Sequence, residues 1–142
     1  MTYLFVLGRE SLLSLAEIHH YFLAEDISYE TIYTKYPFVI FDIASPFDAE
    51  YCMKQLGGTM KIGRWVANTP AEEALITYLQ HIKTSQKIHF SVSGDVQKNT
   101  GIAIKKQLKQ LGYSVRYVEP KNTATILHNN LVKLKTDCTV FR

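Results

Sequence analysis

The chain lacks most of the groups from which enzymes assemble active sites. It has no GxGxxG loop, no GxxxxGK followed by Ser or Thr, no HExxH, no GxSxG and no paired catalytic carboxylates. Cysteine is scarce as well. Cys52 and Cys138 stand far apart and in no CxxC spacing, and no histidine lies at ligand spacing from either. They read as buried, reduced thiols of a cytoplasmic protein, with no metal site. No segment is long and apolar enough to cross a membrane. The opening residues 1–8 are too short an apolar stretch for a secretory signal.

What the chain does contain is core material and unevenly spread charge. Nine tyrosines and seven phenylalanines, with 46% hydrophobic residues overall, suffice for one medium domain or two small ones in 142 residues. Residues 1–66 carry five basic side chains against eight acidic ones, a balance of −3. Residues 67–142 carry eleven against five, a balance of +6. Such asymmetry suggests two modules, the second facing nucleic acid or another polyanion. The competing reading is that the lysines merely solvate exposed helix faces.

The pattern of apolar positions predicts the elements. Residues 3–7 read as a buried strand. Ser14 and Glu17 have the spacing of a capping box, with Leu13 and Ile18 as its hydrophobic staple, so a helix is expected over 15–24 burying Leu15, Ile18 and Phe22. Strands are expected over 27–33 and 38–43, joined through Lys35, Tyr36 and Pro37. A helix over 48–56 opens at Asp48 and stops at Gly57 and Gly58, and a strand follows over 61–67. The order β-α-β-β-α-β is that of the ferredoxin-like split βαβ arrangement.

A boundary is expected at Asn68, Thr69 and Pro70, giving domains 1–67 and 68–142. Thr69 and Glu72 form a second capping box with Pro70 at the first helical position. A helix over 70–83 should bury Leu75, Leu79 and Ile82. After it come a strand over 87–93, a helix over 100–111 and a strand over 114–118. A helix over 124–133 and a strand over 138–141 end the chain, which reads as a piece of a longer protein.

The stretch 101–130, GIAIKKQLKQLGYSVRYVEPKNTATILHNN, holds the candidate binding residues. At about 100° per residue, Ile104, Leu108 and Leu111 share one face of its helix. Lys105, Lys106 and Lys109 fall on the opposite side, with Ile102 among them. Clustered lysines repel one another, and a phosphate backbone neutralises them with release of its counterions. Alone, three such lysines are more often a solvated face. Lys98 and Asn99 open the helix and offer an anion a side chain and backbone N–H groups. Arg116 and Lys121 bracket the next strand. Asn122 reads first as a helix cap. Tyr113 and Tyr117 either stack on bases or pack in the domain. His128 and Asn129 read as phosphate or base contacts, or as structural groups at a helix end.

These residues carry a family resemblance. LFVLGRESLLSLAEI (residues 4–18) and LGGTMKIG (56–63) resemble the amino-terminal ferredoxin-like domain of guanine-specific tRNA methyltransferases. KKQLKQLGYSVRYVEPKN and LHNNL, within 104–131, resemble the THUMP domain that follows it. The resemblance covers nearly the whole chain. It implies an α+β protein, a ferredoxin-like domain followed by an α/β THUMP domain that stops short at its carboxyl end. It also implies binding of the acceptor end of tRNA through Lys98, Asn99, Lys105, Lys106, Lys109, Arg116, Lys121, Asn122, His128 and Asn129. RNA of this kind is read by A-form shape and backbone more than by sequence.

The chain departs from the family at 122–127, where members carry a serine-rich segment and an Ala-Gln pair. It also lacks the Asp/Asn-Pro-Pro-Tyr motif of the S-adenosylmethionine-binding catalytic domain. The chain is therefore expected to be no enzyme by itself and to hold no cofactor. S-adenosylmethionine, the methyltransferase domain and a small activating subunit are expected as cofactor and partners of the whole protein. Two alternatives stand beside this reading. One is a module that docks the catalytic domain or the activating subunit. The other is the THUMP module of a different tRNA-modifying enzyme.

Overall fold

A computed structural model describes residues 1–66, 71–82, 87–128, 131 and 135–141, with residues 71, 123, 127 and 128 described by their backbone alone. The protein is a mixed α+β chain that divides into two compact units, Met1–Trp65 and Val66–Arg142. Among the described residues no helix is long and apolar enough to cross a membrane.

In the first unit the order is β1 (Thr2–Leu7), α1 (Ser11–Ala24), β2 (Tyr29–Lys35), β3 (Phe38–Ile43), α2 (Ala49–Gln55) and β4 (Thr59–Arg64). The sheet runs β2-β3-β1-β4 with every neighbouring pair antiparallel. The apolar runs supply the two central strands. Phe5 and Leu7 on β1, with Val39, Phe41 and Ile43 on β3, recur at period two and so face one side. Against them α1 lays Ile18 and Phe22 at helical spacing, and α2 adds Cys52. The phenylalanines meet edge to face: Phe5 and Phe41 have centroids 5.1 Å apart at 87°, Phe22 and Phe41 5.3 Å apart at 82°. Such pairs stabilise by roughly 0.5–1.5 kcal/mol beyond the area they bury.

The entry to α1 differs from the sequence expectation. The helix begins at Ser11, and Glu10 holds the N-cap position without a side-chain bond. Ser14 lies inside the helix, where its hydroxyl donates to the Glu10 carbonyl at 2.9 Å. Glu17 is no cap either. Its carboxylate accepts from the Gly57 and Gly58 N–H groups at 3.1 and 2.9 Å, closing the turn between α2 and β4. Leu13 is 71% exposed, so no staple forms. The i, i+3 spacing of Ser14 and Glu17 also suits a helix interior, and a long-range partner decided between the two. The approach is tight: a Cβ on Gly58 would lie 2.5 Å from the Ser14 hydroxyl oxygen. Asp48 does cap α2, accepting from the Tyr51 N–H at 3.0 Å.

The second unit contains α3 (Ala71–Gln80), β5 (Ile88–Gly94), α4 (Thr100–Gln110), β6 (Val115–Tyr117), α5 (Thr123–His128) and β7 (Asp137–Val140). Its sheet runs β6-β5-β7 and both pairs are parallel. The central strand has Ile88, Phe90, Ser91 and Val92 buried, as a strand covered on both faces requires. Buried Ser91 is satisfied by donating to Asp137 at 2.7 Å. Gly94, at φ +92°, allows β7 to come close, since a Cβ there would meet the Val140 carbonyl. Leu79 is fully buried, and Leu75 and Ile82 are partly so. Thr69 and Pro70 of the second expected capping box lie outside the described residues.

Glu17→Ala is expected to destabilise the first unit by about 1–3 kcal/mol, because it strips the shared acceptor from two N–H groups. Urea unfolding checks this, with Glu17→Gln retaining part of the loss-free behaviour. A second expectation concerns Cys52. Burial raises its thiol from 9.0 to about 11, partly offset by a hydrogen bond with Tyr21. The fold thus favours the neutral thiol. Its contribution is complete below pH 9 and is lost as the unfolded chain ionises between pH 9 and about 11. The urea midpoint should fall across that window, and fall less in Cys52→Ala.

Candidate nucleic-acid interface

Helix α4 forms because 100–110 is rich in good helix formers and keeps one apolar stripe. Thr100, Gly101, Ile104 and Leu108 are buried, the last two completely. Gly101 decides how the helix sits. A Cβ there would overlap the Tyr117 ring, so only glycine lets the first turn of α4 rest on that ring. With this face fixed inward, Lys106 and Lys109 are exposed and Lys105 is half-buried. Ile102 is 46% exposed beside them. Leu111 departs from expectation. It is the C-cap residue, 56% exposed, because the helix ends at Gln110 and helical periodicity no longer governs it.

Parallel strands deliver their following loops to the same end of the sheet. Lys98 and Asn99 follow β5, and Lys121 and Asn122 follow β6, so these four share the carboxyl edge of the sheet. All four are exposed. Asn99 is the N-cap of α4 but makes no side-chain capping bond. Asn122 is committed: its side-chain oxygen accepts from the Thr125 N–H at 2.9 Å and the Thr125 hydroxyl at 3.1 Å. The three lysines of α4 run from that edge towards the start of β6. Arg116 lies within β6, exposed between buried Val115 and half-buried Tyr117. The His128 side chain and Asn129 lie outside the described residues.

Among the described residues, none of Lys98, Lys105, Lys106, Lys109, Arg116 and Lys121 takes part in an ion pair. Their charge is therefore available to solvent and to a ligand. The aromatic candidates separate. Tyr113 is partly exposed. Tyr117 packs on Gly101 and on Phe90, with ring centroids 5.5 Å apart, and burial, then Glu119, pushes its phenol up. It is a packing residue and not a stacking platform. His81 is occupied locally, its Nδ1 lying 2.6 Å from the Thr77 carbonyl oxygen.

Among the described residues no group of three His, Cys, Asp or Glu side chains is placed to hold a metal ion. A concavity of the first unit, lined by Tyr21, Glu25, Phe47, Asp48 and Tyr51, was not legible as a motif. Its residues come from the two helix ends: Tyr21 in the last turn of α1, Glu25 at its C-cap, Asp48 at the N-cap of α2 and Tyr51 in its first turn. No family model, curated protein or solved structure matches the chain.

Gly101→Ala should destabilise the second unit by about 1–3 kcal/mol through overpacking against Tyr117. Chemical denaturation measures it. In a Tyr117→Ala background the same change should cost little, which identifies the ring as the cause.

Proposed function

We propose that this chain is a tRNA-binding module, a ferredoxin-like domain followed by a THUMP domain, which positions the acceptor end of tRNA for a catalytic domain on the same protein. One observation carries the reading. An exposed lysine face on α4, without ion-pair partners among the described residues, lies in the half of the chain that bears a +6 balance. Concentrated, uncompensated positive charge suits a polyanion, and A-form RNA is held largely by its backbone. Lys98, Asn99 and Lys121 extend the basic surface along the edge of the sheet, with Arg116 on β6. The strand order β2-β3-β1-β4, all antiparallel, is the order of a split βαβ unit and supports the ferredoxin-like assignment. The residue resemblance names the reaction class: S-adenosylmethionine-dependent methylation of a tRNA guanine, in the cytoplasm, by a domain that this chain does not include.

Asn122 enters this reading as the cap that shapes the loop, since its side-chain oxygen is already engaged. Tyr117 enters it as the support that orients α4.

A second reading is favoured by the exposed apolar side chains of the first unit, Leu12, Leu13, Leu23 and Met60. Exposed apolar surface marks contact sites. On that reading the chain docks the catalytic domain or a small activating subunit, and RNA binding belongs elsewhere.

Binding to unmodified tRNA, followed by fluorescence anisotropy across a salt series, separates the two. The tRNA reading expects log K to fall steeply with log salt. Changing Lys105, Lys106 and Lys109 together to Glu should abolish binding at moderate salt. The single changes to Ala should each lower the salt slope by about one. A shallow slope, or unchanged affinity in a folded triple variant, rejects the phosphate-contact surface.

A further inference from the structure

Helix α1 has two apolar faces, and its own unit covers one of them. Ser14, Ile18 and Phe22 are buried inward. Outward lie Leu12, Leu13, Ala16, His20 and Leu23, all exposed. The three leucines are 73%, 71% and 79% exposed, the highest values for large apolar side chains among the described residues. The helix has one charged side chain in 14 residues, Glu17, and its carboxylate is held by the Gly57 and Gly58 N–H groups. A surface helix ordinarily turns charge to water; one that is apolar on both sides has a second partner.

The pattern of the outer face identifies that partner. Leu13, Ala16, His20 and Leu23 follow one another at steps of three, four and three, the a and d positions of a coiled-coil seam. The seam is self-complementary about a point level with Ile18. A second α1 laid antiparallel across a two-fold axis there sets Leu13 against Leu23 of the other copy, and small Ala16 against His20. The charges at the helix ends agree with that direction. Arg9 stands ahead of α1, and Glu25 and Asp26 stand behind it. All three are exposed, and among the described residues none of them is in an ion pair. Antiparallel packing brings Arg9 of each copy beside the acidic end of the other, whereas parallel packing would set like charges side by side. Glu10 falls off the seam on the side of uncharged Ala24 of the other copy.

We propose that the outer face of α1 docks on the same face of a second copy of this chain, as an antiparallel helix pair. From Leu12 to Leu23 the stripe runs about 17 Å. A contact of that length buries less than about 1,200 Å² in total, the class of weak and reversible association. The inward cluster around Phe5, Phe22 and Phe41 is complete within one copy, so the unit folds first and pairs afterwards. The proposal rests on the first unit and is independent of RNA binding.

Sedimentation equilibrium of the whole chain, up to millimolar concentration, tests it. A reversible monomer–dimer equilibrium is expected. Leu23→Lys puts an ammonium into the seam against Leu13 and near Arg9, and should leave the chain monomeric throughout. Lysine is a good helix former and Leu23 is exposed, so the urea midpoint should hold. Ile32→Lys, the same change at an exposed side chain of β2, should leave the dimer intact. Arg9→Glu should weaken pairing about fivefold, and adding Glu25→Lys should restore part of the loss. Register is read by mixing Leu13→Cys chains with Leu23→Cys chains under oxidation: the two should cross-link to each other and neither to itself, the native Cys52 and Cys138 being buried. A chain that stays monomeric, a dimer indifferent to Leu23→Lys, or self-cross-linking of Leu23→Cys overturns the proposal. Binding of a monomeric chain to phosphatidylcholine vesicles, lost in Leu23→Lys, would give the face to a lipid surface and overturn it as well.

Discussion

Helix α4 has one way to lie on its sheet. Gly101 must face the Tyr117 ring, because any Cβ there would occupy the ring's own space. Ile104 and Leu108, one and two turns along, then close the helix onto the parallel sheet. These contacts are apolar and sequence-local, yet they determine where the charge goes. Turning the helix one way would bring Lys105 and Lys109 into the apolar layer, and turning it the other way would bring in Gln107, each at a desolvation cost. The basic surface is therefore a consequence of the core. Among the described residues none of Lys98, Lys105, Lys106, Lys109, Arg116 and Lys121 forms an ion pair, which leaves the charge of this surface available to a ligand.

That link explains what the amino-acid sequence revealed. Periodicity alone separated Ile104 and Leu108 from Lys106 and Lys109, since a helix obeys its own spacing wherever it packs. Arg116 was read as bracketing the strand, and it lies within β6, exposed between Val115 and Tyr117. The same rule failed at Leu111, one residue beyond the helical turns to which it applies. It failed again at Ser14 and Glu17, whose spacing fits a capping box. The competing partner, the Gly57–Gly58 turn, lies 40 residues away for Gly57 and 41 for Gly58. Local spacing cannot report such a partner. Asp48 was read correctly because a cap is satisfied within its own first turn. Tyr117 shows the same division: its place in a strand was visible, while its dependence on Gly101 was a tertiary fact.

The two units solve opposite electrostatic problems with the same materials. In the second, lysines accumulate where a helix face must be polar. In the first, carboxylates and phenols gather where α1 ends and α2 begins. The end of α1 is the negative pole of a helix, where a basic side chain would ordinarily be placed. Instead the chain puts Glu25 at the C-cap and leaves the last turn without a lysine or arginine. Backbone answers that pole: the Tyr21, Phe22 and Leu23 carbonyls accept from the Glu25, Ile27 and Asp26 N–H groups at 3.0, 2.8 and 3.3 Å. The lysines of α4 have no such answer in an ion pair among the described residues.

Such residual charge has a thermodynamic consequence. A fold that leaves like charges close together gives up a little stability, of the order of a few tenths of a kcal/mol per exposed pair. A bound counter-charge returns it, because a ligand that binds only the native state stabilises that state. For the second unit this ties recognition to stability: a polyanion that contacts the lysines of α4 should raise the unfolding midpoint, and the effect should vanish when those charges are removed.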